Sequence, residues 1–165
     1  MTYNVYLTNL NRQNSFPKNT ILLGEWCLSN IPISPSAFSI IPYHWRASSK
    51  FSRDIEMLTE LYPSIFQYLI KILEKRLSIQ RPDQFWHTLI GPSLSVIIPT
   101  LWDRWESVTP IFQLDSKYSI LFYDLPSNCV NSTSHSDLIS NSAYSQRSHP
   151  YLFQQLLQFR SVPST

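Results

Sequence analysis

The sequence predicts an α/β fold, a short parallel sheet combined with a long helical hairpin. Three observations carry that prediction. Short β-rich apolar runs end on turn residues, as buried strands do; Thr20-Ile21-Leu22-Leu23 stops at Gly24. From Ser49 to Leu77, apolar residues recur at helical spacing in one broad stripe. A second helical block follows directly from Pro82, with only Ser78 to Arg81 between them, the connection of two antiparallel helices.

Taken in order, Val5 to Thr8 reads as a first short strand and Asn9 to Asn19 as a polar loop. Thr20 to Leu23 is the second strand. Ser29 to Pro42 carries Pro32, Pro35 and Pro42 and reads as an irregular connection, with Ile40 and Ile41 as a short strand before Pro42. The apolar residues of the long helix are Ile55, Leu58, Leu61, Tyr62, Ile65, Phe66, Leu69, Ile72, Leu73 and Leu77, the spacing of one broad stripe expected to face the core. Lys50, Arg53, Glu56, Glu60, Lys71, Glu74 and Lys75 fall mostly on its other face. Pro63 should kink or restart it, since proline removes a donor and crowds the preceding turn. The second helix opens at Pro82, a favoured first position. It should break at Gly91-Pro92, resume from Ser93 to Phe112, and be disturbed at Pro99. Tyr118 to Tyr123 is a further strand. Ser127 to Ser148 is dense in serine and asparagine, with little to bury. Tyr151 to Phe159 is a short amphipathic helix. The domain organisation expected is therefore an α/β domain over 1–126, a linker over 127–148, and a terminal helix and tail over 149–165.

Composition excludes several kinds of function. Two glycines in 165 residues are far fewer than the roughly 7% of average usage. No glycine-rich phosphate loop or dinucleotide fingerprint can be built from Gly24 and Gly91 alone. Each is expected to mark a position where the backbone needs glycine. A formal charge of +2, with both signs spread along the chain, gives no footprint for nucleic acid. Cys27 and Cys129 form no paired motif, and a reduced, cytoplasmic protein is expected. No apolar run is long enough to span a bilayer. Asn131-Ser132-Thr133 matches a glycosylation sequon, read as a chance match. His44, His87, His135 and His149 show no metal-ligand spacing, so no metal site is expected.

Three clusters carry chemistry. Glu25 and Trp26 follow a strand and a glycine, where ligands bind in open α/β sheets. Glu25 is either a general base or sugar-hydroxyl ligand, or an acceptor for loop amides. Pro42-Tyr43-His44-Trp45-Arg46 joins a titratable ring, two aromatics and a cation just before a helix. It reads as a sugar-binding cluster with His44 as acid or base, or as a helix entry with a hydrogen-bonded histidine. Trp102-Asp103-Arg104-Trp105-Glu106 offers Arg104 to a phosphate or carboxylate, or is a solvated face with local ion pairs. His87 is read as packing or capping.

These stretches come in a recognisable order: Leu23-Gly24-Glu25-Trp26-Cys27, Pro42-Tyr43-His44-Trp45, Phe85-Trp86 to Gly91-Pro92, and Asp103-Arg104. With Tyr6-Leu7-Thr8, they resemble the blocks of a spirochaete-type transferase family associated with surface-carbohydrate biosynthesis. The resemblance covers about residues 3 to 113, and faintly the segment to 160. It implies a partial Rossmann-like domain of the GT-B N-terminal type. It implies the acceptor side of a sugar transferase, inactive alone, with a sugar or glycan acceptor as partner. The nucleotide-sugar donor is expected on a C-terminal domain outside this chain, and an exposed interdomain face would favour self-association. Glu25 and His44 are then the catalytic pair. Trp26, Tyr43, Trp45, Asp103 and Arg104 bind substrate, with Arg104 as an anion clamp. Gly24, Gly91 and Pro92 are structural. The alternative is a carbohydrate- or protein-binding module without catalysis.

Overall fold

The computed structural model describes residues 2–7, 19–28, 38–114, 117–121 and 148–161. The expected loop at 9–18, the connection at 29–37 and the Ser/Asn-rich stretch at 127–147 lie outside them, as do Cys129 and the Asn131 sequon.

The strands are β1 (Thr2–Tyr6), β2 (Thr20–Leu22), β3 (Phe38–Ile40) and β4 (Lys117–Leu121). They form a four-stranded sheet in the order β3-β2-β1-β4, and every pairing is parallel. Val5 is the register point, opposite Ile21 on one side and Ile120 on the other. β1 and β2 are covered on both faces, which is why Val5, Tyr6 and Leu7, then Ile21, Leu22 and Leu23, are consecutive buried residues. The chain steps outward from β1 to β2 and β3, then returns through two long helices to β4 on β1's other side. That reversal is the topological feature beside which open α/β sheets bind ligands, at the carboxyl ends of the strands.

The helices are α1 (Ser48–Leu77), α2 (Asp83–Phe112) and α3 (Ser148–Ser161). Pro82 stands just outside α2 with φ −58° and ψ 149°, fixing the entry angle rather than opening the helix. α1 runs on through Pro63, and α2 runs unbroken through Gly91, Pro92, Pro99 and Pro110. The expected break at Gly91-Pro92 is therefore absent. A helical proline costs about 3 kcal/mol. Against this, Trp86 lies before the pair and Leu94 and Ile98 after it, all buried with Leu58, Phe66 and Ile70 of α1. Each such side chain contributes about 1.5–3 kcal/mol on burial, so packing across Pro92 outweighs the bond lost there.

The backbone role expected of the glycines falls to other residues. Neither glycine has positive φ; Asn19 (63°) and Ser78 (53°) do. Ser78 closes α1 in the left-handed conformation, and its N–H and that of Ile79 both donate to the Glu74 carbonyl.

α2 belongs to two cores. Its first half packs in the hairpin with α1. Val108 and Ile111 of its second half join the sheet core, with Val5, Leu7, Leu22 and Cys27, and with Phe153 and Leu157 of α3. Between them lies a buried polar stretch, Asp103, Arg104 and Ser107. This stretch carries the candidate site. Among the described residues, no helix is long and apolar enough to cross a membrane.

Candidate functional site at the carboxyl edge of the sheet

Pairing continues one residue past the strands: Leu23 N–H donates to Tyr6 O (3.0 Å) and Ile41 N–H to Leu22 O (2.9 Å). The segments after β2 and β3 therefore leave the sheet side by side at its carboxyl edge. Each winds into a 3-10 turn, Glu25–Leu28 and His44–Arg46. Two motif blocks remote in sequence thus meet.

Trp26 fastens the first turn. Its indole N–H donates to Leu7 O beyond β1 (3.1 Å), and its ring stacks on Phe153 of α3, with centroids 6.2 Å apart and planes at 6°. A Cβ on Gly24 would lie 2.3 Å from the Trp26 ring. Glycine is required here by space, not by φ. Tyr43 meets Trp26 edge-on at 6.3 Å. Cys27 is a packing thiol: it donates to Tyr6 O (3.6 Å), and burial pushes its pKa up to about 11.

Glu25, Trp26, Tyr43, Arg46 and Arg104 line one cavity of about 390 Å³, within the range of about 300–1,000 Å³ usual for small-ligand sites. Four of these were candidates from sequence; Arg46 closed the Tyr43-His44-Trp45 stretch. Glu25 and Arg46 are exposed, whereas Arg104 is buried, with its guanidinium 5.6 Å over the Phe153 ring. Burial raises the Tyr43 pKa, and the positive charge of Arg104 works against it.

Beside the cavity, His44 Nε2–H donates to Asp103 Oδ1 (2.9 Å), and Arg104 donates to the other oxygen, Oδ2. Only 8% of the His44 side chain and 10% of the Asp103 side chain are exposed. Asp103 thus fixes the imidazole and the guanidinium together. Burial, and then the Lys50 charge, lower the His44 pKa against the pull of Glu106 and Asp54. With Nε2 donating, Nδ1 holds the lone pair. Among the described residues it is buried without a hydrogen-bond partner.

A second network backs the first. Asp54 Oδ2 accepts from Lys50 Nζ (2.7 Å), from the Trp45 indole (2.8 Å) and from the Trp102 indole (3.0 Å). Burial works to raise the Asp54 pKa, but these donors outweigh it and hold it at about 2. Lys50 Nζ also donates to Glu106 Oε2 (2.9 Å). Burial alone would lower the Lys50 pKa, yet its two carboxylate partners hold it above the ordinary value. His44, Asp54 and Glu106 offer ligand atoms within 4.8 Å of one another. The Lys50 ammonium already bridges the two carboxylates and supplies there the positive charge a metal would bring.

Trp45 therefore binds Asp54 rather than lining the cavity, and Asp103 acts through His44 and Arg104. Gly91 and Pro92 lie roughly 20 Å from Arg104 along α2 at 1.5 Å per residue. Gly91 is buried, and the Tyr62 hydroxyl donates to its carbonyl (3.4 Å). Trp86 of the same motif is a core residue whose indole donates to Glu74 Oε1 (3.2 Å), and the His87 ring stacks on Phe66 at 3.9 Å. Lys50 and Asp54 were not singled out by the sequence. Their opposite charges at i, i+4, one turn after Trp45, were the available signal, and they look like any solvated helix face.

No curated protein and no solved structure matches the chain. Residues 3–164 match the sequence model described as LIC12162 family transferase. That span takes in the sheet, the hairpin, α3 and every residue of the cavity, and on it the chain belongs to the LIC12162 family of transferases.

Proposed function

We propose that this chain forms the acceptor side of a sugar transferase acting in surface glycan assembly. The observation that carries the reading is the convergence of Glu25, Trp26, Tyr43, Arg46 and Arg104 on one cavity at the carboxyl edge of the sheet, in a transferase-family chain. An indole and a phenol set edge to face give a sugar ring two apolar walls. A carboxylate and two guanidiniums supply the polar contacts that orient it.

In this reading Glu25 takes the proton of an acceptor hydroxyl. The hydroxyl oxygen then bonds to the anomeric carbon of the donor, and the bond from that carbon to the nucleotide's phosphate oxygen breaks. The nucleotide leaves with the electron pair. The donor nucleotide binds on a domain outside this chain. His44, held by Asp103 beside the cavity, is the candidate acid/base partner of Glu25. Saturable binding of a glycan acceptor, lost in Trp26→Ala with the fold retained, supports the proposal. Sustained nucleotide release from nucleotide sugars by this chain alone overturns the division between acceptor and donor sides.

One observation favours a second reading, a carbohydrate-binding module without catalysis. His44 is not among the cavity-lining residues, although its ring lies 5.1 Å from that of Tyr43. Glycan binding that survives Glu25→Gln and His44→Gln, with no transfer by any longer polypeptide containing this chain, selects that reading.

A further inference from the structure

We infer that the cavity takes an anionic sugar, a hexose-sized ring carrying a carboxylate or phosphate group held between Arg46 and Arg104. The inference rests on the sugar-acceptor reading above and specifies its substrate class.

The two guanidiniums reach the same cavity from different elements, Arg46 from the turn after β3 and Arg104 from α2. They differ in preparation. Arg104 is buried, tied to Asp103 and laid over the Phe153 ring, so its plane is fixed before a ligand arrives. Arg46 is exposed and makes no ion pair among the described residues. A fixed fork and an exposed one can close on a single anion. A planar guanidinium matches the paired oxygens of carboxylate or phosphate, and such charge-assisted bonds are about twice as strong as neutral ones.

The rest of the lining restricts what carries the anion. Trp26 and Tyr43 offer ring-sized apolar surface, so a bare inorganic ion would leave most of the cavity unused. Glu25 would repel an anion placed against it but accepts hydroxyl donors. An anion at one end and hydroxyls at the other satisfy both. Asp103 does not compete for the ligand, because its two oxygens are engaged by His44 and Arg104.

The test is calorimetric titration of the full chain with matched ligands: a panel of neutral hexoses, the corresponding hexuronates, the hexose 6-phosphates, and inorganic phosphate. The expected result is that one charged form binds roughly tenfold or more tighter than its neutral parent. Preference for the uronate identifies the carboxylate as the anion, and preference for the 6-phosphate identifies the phosphate. Arg46→Gln should remove the preference for the charged form, with an unaltered circular dichroism spectrum. Equal binding of charged and neutral forms, or a preference that survives Arg46→Gln, overturns this inference and leaves the sugar-acceptor reading standing. Inorganic phosphate binding as tightly as the sugar phosphate also overturns it. Failure of every sugar to bind overturns the sugar-acceptor reading, and this inference with it.

Discussion

Asp103 holds His44 across a separation of 59 residues, Nε2–H donating to Oδ1 at 2.9 Å, and its other oxygen takes Arg104. One carboxylate thereby couples the segment after β3 to α2 and fixes a candidate base and a candidate anion ligand at once. Removing one member of a buried charged pair leaves the other uncompensated, at a cost of about 3–5 kcal/mol. Asp103→Asn should therefore destabilise the chain by about 3 kcal/mol in urea unfolding. A loss below about 1 kcal/mol, the size expected of an exposed pair, would show that the pair is not buried in solution.

Asp54 makes stability depend on acid. Its folded pKa of about 2 lies below its ordinary value of 3.8. Its contribution is present above pH 4 and is lost as pH falls toward 2. The size is about 2 kcal/mol. The stability difference between the native chain and Asp54→Asn should be largest near neutrality and shrink steadily between pH 4 and 2. A difference independent of pH in that window contradicts the Lys50, Trp45 and Trp102 contacts.

His44 gives a second acid dependence, at higher pH. Its folded pKa is lowered from 6.5 by burial and by the Lys50 charge. The unfolded chain takes up its proton first as pH falls. The stabilisation is complete above pH 6.5 and is lost as pH drops through the folded pKa. NMR titration of the imidazole should give a midpoint below 6.5, and His44→Gln should flatten the stability profile in that range. A midpoint at or above 6.5 contradicts the burial of the ring.

Gly24 should respond differently from Gly91 and Ser78. Gly24→Ala drives a methyl into the Trp26 ring, which is held by Leu7 O and Phe153, and should cost about 1–3 kcal/mol. At Gly91 an added Cβ meets the Tyr62 hydroxyl at 3.5 Å, an ordinary contact. Gly91→Ala should be neutral or stabilise by up to about 1 kcal/mol through helix propensity. Ser78→Gly, at a left-handed C-cap, should also stabilise, by roughly 0.5–1 kcal/mol. Thermal unfolding of the three variants checks the order, and equal losses at Gly24 and Gly91 would contradict it.

What the sequence made legible follows from where local signals agree with packing. β2, α1 and the C-terminal helix were visible because apolar spacing and turn residues coincide there, and observed bounds differ from those read by at most a few residues. The break at Gly91-Pro92 was misread because proline cost is a local signal, while Trp86, Leu94 and Ile98 act through α1. Glu25, Trp26, Tyr43 and Arg104 were identified as candidates, but that they share a cavity depends on the side-by-side exit of β2 and β3. The Lys50–Asp54 pair stayed hidden, since only its tertiary partners Trp102 and Glu106 distinguish it from a solvated ion pair.

The sugar acceptor proposed for this cavity would sit beside Trp26, so the tryptophans themselves report on it. Trp26 lines the cavity with its indole N–H fixed on Leu7 O, whereas the indole of Trp86 is buried in the hairpin against Glu74. The decisive measurement is a ¹⁵N-indole NMR titration of the full chain with the tightest-binding sugar. A saturable shift of the Trp26 resonance is expected, with the Trp86 resonance unmoved. Saturable binding that shifts Trp86 and leaves Trp26 unmoved would contradict that placement.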